Sequence, residues 1–295
     1  MILITGANGF VGSYLTEQLL KLGWPVCATG KGNCRLPTLV NGRELYYEML
    51  DFTDPFAVHD LVAKLKPSII VHAGAMGKPD ECETNQWAAH QVNVEGTIHL
   101  AQNAKEIGAR LLFLSTDFVF DGETGMYTES DPLAPVNFYG RTKLEAELAV
   151  QELAGRWSIV RTVLVYGSPR EGRPNLLSIL REKLSKGEGY RVVDDQFRTP
   201  TYVGDLVDGI VKMIEKKSEG LFHICGNELM TPYDMACRAA RFWKLPVDLI
   251  QRVSTSDLQH PAARPMKTGL SIEKAVRELG FAPRNLEQGL LAMDK

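Results

Sequence analysis

No Cys-x-x-Cys pair, no long apolar run and no excess of one charge occur in this 295-residue sequence. Each absence removes a class of protein. The five cysteines, Cys27, Cys34, Cys82, Cys225 and Cys237, are odd in number and widely spaced. A disulfide framework or a zinc knuckle is therefore not expected, and reduced, mostly buried thiols are. No Asp/Glu spacing marks a divalent-ion site either, so no metal ligand is assigned and a divalent-ion requirement stays open. No apolar run approaches the roughly 20 residues that span a bilayer, which argues against a membrane partner. The 33 basic residues against 36 acidic ones leave a net charge of −3 without a basic stripe, which argues against nucleic acid. The opening "MILITG" carries no charged leader or small-residue cleavage site, so cytoplasm is the expected compartment. Repeats and low-complexity tracts are missing as well.

What remains is enough chain for one large α/β domain, or for a nucleotide-binding domain with a smaller companion. Short apolar runs at 2–5, 25–29, 68–74, 110–116 and 157–167 alternate with helical patterns at 11–23, 54–66, about 85–107 and from "NFYGRTKLE" onward. That alternation predicts a doubly wound parallel sheet covered on both faces. Asp54 and Pro55 read as the cap and first residue of the second helix. After Gly167 the pattern breaks into "GSPREGRPN", a helix and the charged turn "SKGEGY". "GLFHIC" (220–225) reads as one more strand, and 231–295 as helical with Pro-rich interruptions. Residues 1–167 are expected to form the nucleotide-binding domain. Residues 168–295 are expected to form mainly a smaller lobe, with about 201–225 returning to the main sheet.

Chemistry concentrates at three places. "TGANGFVG" puts Gly6, Gly9 and Gly12 between the first strand and a helix N-terminus, where backbone N–H groups and the helix dipole favour a pyrophosphate; a tight turn that needs glycine would look the same. The second strand ends in "CATGKGNCR", with Lys31 and Arg35 and no acid. That suits the 2′-phosphate of NADPH better than the ribose hydroxyls of NADH, although both cations could be plain surface charge. In "LDFTD", Asp51 could meet an adenine amino group or merely help shape a helix start. Finally, "LSTDF" delivers Ser115 and Thr116 to the carboxyl edge of the sheet, and "FYGRTKLE" follows with Tyr139 and Lys143 one helical turn apart. An ammonium near a phenol favours phenolate, so Tyr139 could protonate a carbonyl oxygen as hydride arrives while Thr116 hydrogen-bonds it.

Together "TGANGFVG", "HAGA", "LSTDFVFDG" and "YGRTK" resemble the extended short-chain dehydrogenase/reductases. "VVDDQFRTPTYVGDL" and "RPMKTGLS" narrow the resemblance to the dTDP-4-dehydrorhamnose reductase family, over essentially the whole chain. The resemblance implies a Rossmann-type domain with a small C-terminal substrate lobe, NADPH or NADH as cofactor, a nucleotide-sugar substrate and the triad Thr116, Tyr139 and Lys143. Lys143 would also hold the nicotinamide ribose. Gly6, Asn8, Gly9, Phe10 and Val11 would surround the pyrophosphate, Asp51 and Phe52 the adenine, and Ala73, Gly74 and Ala75 the middle of the cofactor. Asn93 matches a helix asparagine whose role is mainly structural, and Asp117 and Phe118 would face the sugar. Relatives that dehydrate sugars carry Asp-Glu after the threonine; here Phe118 replaces the glutamate, which disfavours dehydration. Leu164 stands where rhamnose-pathway reductases commonly have tryptophan near the sugar. "GAMGKPDECE" is closer to other members, including the non-catalytic β subunit of methionine adenosyltransferase. An epimerase/dehydratase with NAD, or a cofactor-binding regulatory subunit, therefore stays open beside the reductase. Homodimer formation through the helices at 85–107 and 140–153 is possible on the same grounds.

Overall fold

The computed structural model describes residues 1–170 and 174–294; residues 171–173 of the Gly/Pro/Arg stretch lie outside the described residues. Seven strands form one sheet: β1 (Ile2–Thr5), β2 (Val26–Gly30), β3 (Tyr46–Met49), β4 (Ile69–His72), β5 (Arg110–Thr116), β6 (Arg156–Thr162) and β7 (Gly220–His223). Every pairing among them is parallel, in the order β7-β6-β5-β4-β1-β2-β3. The central strands are continuous apolar runs because helices cover both faces; all residues of β1 and β2 are buried. One face packs α1 (Phe10–Lys21) and a helix from the last third, Val203–Glu215, around Ile4, Leu15, Leu206 and Ile210. The other face packs α2 (Pro55–Leu65), α3 (Gly96–Glu106) and α4 (Phe138–Leu153) around Leu3, Val58, Leu100, Leu111 and Ala146. Each fully buried aliphatic side chain contributes about 1.5–3 kcal/mol, so these two layers dominate stability.

Local signals place the helix starts. Asp54 accepts from the N–H groups of Phe56 and Ala57, with Pro55 in the first turn of α2. A further cluster gathers Leu177, Leu180, Met235, Ala239 and Leu290 around the parallel pair Tyr190–Val193 and Ile250–Val253. That second strand corrects the reading of 231–295 as helical with Pro-rich interruptions.

Two other expectations also change. The run 157–167 is not one strand: β6 ends at Thr162, and Val165–Tyr166 pairs instead with Thr201–Tyr202. Leu164, at φ +36°, cannot continue an extended strand. The carbonyls of Val163 and Leu164 turn to Thr201, accepting from its hydroxyl at 2.6 Å and its N–H at 3.2 Å. Strand β3 was not anticipated. It pairs on one side only, exposes Tyr46 and Met49, and carries Glu48 bound to Lys64 at 2.8 Å. Its run, "LYYEML", is short and interrupted by Glu48, as suits a partly exposed edge strand.

Two histidines lie inside the fold. His72 Nε2 is 3.1 Å from Thr97 Oγ1, which itself donates to the Asn93 carbonyl at 2.7 Å; the imidazole therefore donates from Nε2 and accepts from Thr5 Oγ1 at 2.6 Å through Nδ1. Burial pushes both His72 and His223 down to about 3. The unfolded chain takes up these protons below pH 6.5 and the native chain only near pH 3, so stability falls as pH drops through that window. Unfolding free energies from urea titrations between pH 7 and pH 4 should decline with a slope of up to about 1.4 kcal/mol per pH unit for each histidine. His72→Gln should flatten that slope; an equally steep decline in the variant would remove His72 as a cause.

Candidate active site

Strand β1 runs into the glycine turn because Gly6 takes φ +72° and its backbone abuts Gly74 in the turn after β4; a Cβ at Gly6 would come 2.5 Å from the Gly74 nitrogen. Gly12 meets the Gly6 carbonyl just as closely. Helix α1 opens at Gly9 with no side-chain cap and no acidic residue in its first turn. The first-turn N–H groups are thus left for an anion, in a turn whose close backbone approach a Cβ at Gly6 or Gly12 would prevent. These residues fit a dinucleotide pyrophosphate. Asn8 faces the other way: its amide donates to the Asn33 carbonyl at 3.0 Å and the Tyr47 hydroxyl at 2.9 Å, and accepts from Arg35 N–H at 3.0 Å. It clips the loop after β2 to the glycine turn.

The expected adenosine end is arranged differently from its sequence reading. Lys31 and Asp51, assigned to separate parts of the cofactor, form an ion pair at 2.8 Å. Burial alone would raise Asp51, but hydrogen bonds from Lys31 and Thr53 hold its carboxyl below the usual range. The Phe52 ring is wedged against Gly74 and Gly96 and stands edge-on to His72 at 4.9 Å, so it shapes the floor from beneath. Arg35 forms no ion pair among the described residues. It lines a cavity of about 490 Å³ with Asn8 and Ser13.

Helix α4 brings Tyr139 and Lys143 to the end of β5. Asn137 caps it, accepting from Gly140 N–H at 2.8 Å, and Glu83 accepts from Phe138 N–H at 2.9 Å. A Cβ at Gly140 would run into the Phe118 carbonyl oxygen, so glycine lets the helix start touch the segment just after Thr116. The Tyr139 ring lies edge-on to Phe118, with centroids 5.8 Å apart. Lys143 is buried, donates to the Leu114 carbonyl at 2.7 Å and lies 3.9 Å above the Phe113 ring centroid. Burial pushes its ammonium down to about 7, partly opposed by Glu147 and Cys82. Ser115 Oγ is buried without a hydrogen-bond partner on the same strand end, a polar atom left over beside the cradle. One turn below Lys143, Glu147 accepts a bidentate pair of bonds from Arg161 at 2.9 and 2.7 Å.

Asn93 joins these parts. Its side chain accepts from Met76 N–H at 2.8 Å and donates to Thr142 Oγ1 at 3.0 Å, while Thr142 donates to the Tyr139 carbonyl at 2.8 Å. Residues Gln91–Glu95 form a π-turn that swings this amide inward.

Asp117, expected to face the sugar, is turned into the protein instead. Its carboxylate accepts from Thr116 at 3.1 Å and from Thr268, with Arg198 Nε 3.8 Å away. Desolvation raises it against the pull of Arg198. Phe118 remains partly exposed beside Tyr139, and Leu164 bridges the two smaller apolar clusters. Sequence reasoning missed Arg198 and Thr268 as neighbours of the site, and also the Arg264–Asp80 pair at 2.6 Å. The only signal for Arg198, Arg264 and Thr268 was membership of the two quoted C-terminal stretches, and for Asp80 its place in "GAMGKPDECE". Among the described residues, no cluster of three or more His, Cys, Asp or Glu could hold a metal, and no helix is long and apolar enough to cross a membrane.

A fully parallel sheet ordered around a switch point at β1 and β4, with a glycine cradle at its carboxyl edge, defines the class as a Rossmann-type α/β protein. Residues 1–294 match the family described as RmlD substrate binding domain. The chain belongs to that family, the dTDP-4-dehydrorhamnose reductase branch of the extended short-chain dehydrogenase/reductases. It is 32% identical over 289 residues to methionine adenosyltransferase 2 subunit beta of Rattus norvegicus, covering 96% of this chain and 83% of that one. A dTDP-4-dehydrorhamnose reductase from Clostridium acetobutylicum superposes with a TM-score of 0.87 at 30% identity. Another from Bacillus anthracis, in complex with NADP, does so with a TM-score of 0.87 at 29% identity. Each alignment covers 99% of this chain and 98% of the other.

Gly140→Ala tests the packing that sets α4. Overpacking against a backbone oxygen should lower stability by about 1–3 kcal/mol in urea unfolding. A change under ~0.5 kcal/mol would mean that α4 is free to shift along β5.

Proposed function

We propose that the protein reduces a nucleotide-linked 4-keto-6-deoxy sugar with NADPH, with Tyr139 as proton donor. The observation that carries this reading is the desolvated Lys143 one turn from Tyr139, on a helix pressed against the strand end that presents Thr116. A bound reduced nicotinamide would supply the hydride. The protein's own part is to hold the carbonyl and deliver the proton. Thr116 Oγ hydrogen-bonds the carbonyl oxygen, and the Tyr139 phenol passes its proton to that oxygen as it gains negative charge. The ammonium of Lys143 favours the phenolate left behind. Gly6, Gly9, Phe10, Val11 and Gly12 would receive the pyrophosphate, and Ala73, Gly74 and Ala75 would border the middle of the cofactor.

Dehydration fits less well. Phe118 has no proton to offer, and Asp117 is committed to Thr116, Thr268 and Arg198. The substrate lobe, in this reading, is made mainly by residues beyond 167, with Phe118 and Leu164 shaping the sugar pocket. A regulatory subunit is the second reading, favoured by the 32% identity to methionine adenosyltransferase 2 subunit beta. A protein that only bound the cofactor would not need the buried lysine, the tyrosine and the threonine together.

The assay is NADPH oxidation with dTDP-4-keto-6-deoxy-L-lyxo-hexulose and related keto sugars. Tyr139→Phe should lose activity roughly 10²–10⁴-fold while NADPH affinity stays near that of the wild type. Equal rates would remove Tyr139 as donor, and no turnover of any keto sugar by the wild type would favour the regulatory reading.

For cofactor choice, Lys31 leaves Asp51 for the 2′-phosphate, with Arg35 across the loop. Lys31→Ala should weaken NADPH binding roughly tenfold or more, as befits a charge-assisted bond, and leave NADH nearly unchanged. Fluorescence titration that gave the same loss for both cofactors would exclude that contact.

A further inference from the structure

Two stretches in the last third, "QFRTPT" and "RPMKTG", take no part in the chemistry above, yet both converge on one carboxylate. Asp117 is 3% exposed and both of its oxygens are engaged. Oδ1 accepts from the Thr116 hydroxyl at 3.1 Å; Oδ2 accepts from Thr268 Oγ1 and faces Arg198 Nε at 3.8 Å. Arg198 also donates to the carbonyls of Pro265 at 2.6 Å and Met266 at 3.2 Å, so it grips the same segment that carries Thr268. From the other side, Phe118 N–H donates to Thr116 Oγ1 at 3.3 Å. A threonine hydroxyl has one proton and two lone pairs. Here the proton points to Asp117 and one lone pair is filled, so the position of the oxygen is determined from both lobes.

We propose that Asp117 is a positioning residue, through which Thr268 and Arg198 of the C-terminal segment hold the Thr116 hydroxyl where the oxygen of the keto sugar must arrive; this rests on the reductase reading above. Asp117 acts through Thr116 and does not touch substrate. When the carbonyl oxygen arrives it competes for the Thr116 proton, and Asp117 keeps Thr268 and Arg198 as partners. Asp117 thus sets the hydroxyl before the substrate arrives; once the proton turns to the carbonyl, the Phe118 N–H remains on the threonine oxygen and Thr268 and Arg198 remain on the carboxylate.

Thr268→Val removes one hydroxyl from this chain of bonds at nearly constant volume, and Thr268→Ser restores it. Thr268→Val should lower kcat for NADPH oxidation roughly ten- to a hundredfold, the scale of a small misplacement at the reacting atoms. KM and NADPH affinity should stay within about twofold, and Thr268→Ser should recover most of the rate. Asp117→Asn should show the same split, but it also leaves the buried Arg198 without its counter-charge, so Thr268→Val decides. A second readout needs no turnover. The Thr116 methyl resonance, identified by its loss in Thr116→Ala, should shift in Thr268→Val and return in Thr268→Ser. An unmoved methyl signal, or full kcat in a folded Thr268→Val protein, overturns the proposal. If the wild type reduces no keto sugar, the reductase reading fails by itself, and the methyl signal alone decides whether Asp117 positions Thr116.

Discussion

Helix α4 can lie at only one depth against β5, because the backbone of Gly140 rests on the Phe118 carbonyl. Everything chemical in the site inherits that contact. The Asn137 cap, the bond from Lys143 to the Leu114 carbonyl and the bidentate Arg161–Glu147 pair each fix a successive turn of the same helix. A slip of one residue would break all of them together and rotate Tyr139 by roughly 100° away from Thr116. The buried ion pair is weak evidence for stability, since desolvation offsets most of its attraction. Its geometric demand is what matters, because two charges without water tolerate little displacement.

Around that helix, the interior is organised to keep charge in chosen places. His72 and His223 are held neutral by burial, whereas Lys143 is held near the point where it can carry or release a proton. At the other end of the cradle, Lys31 and Asp51 are open to solvent and attract each other only modestly. That pair can part at small cost, while the pairs near Tyr139 cannot. The site is therefore rigid around Tyr139 and looser at Lys31 and Asp51.

The parallel sheet and the glycine turn were legible because their causes are local: apolar runs, a strand-to-helix turn, Asp54 before Pro55. Tyr139 and Lys143 were legible for the same reason, being four residues apart on one helix. Asp117 was not. Nothing in "STDFVF" says whether a carboxylate points toward a ligand or into the protein, and its partners Arg198 and Thr268 lie 81 and 151 positions further on. The edge strand β3 and the break at Leu164 were hidden too, the first because its run is short and holds Glu48 and the second because its cause is Thr201.

By itself the sequence determined the doubly wound architecture, the glycine turn between the first strand and helix, and the helix face that carries phenol and ammonium. Those depend on steric rules and periodicities acting over a few residues. Tertiary structure alone decided the direction of Asp117, the pairing of Lys31 with Asp51 and the desolvation of Lys143. Those depend on groups distant in sequence: Phe113 and Leu114 around Lys143, the loop after β2 beside Asp51, and, for Asp117, the last third folding back over the end of β5.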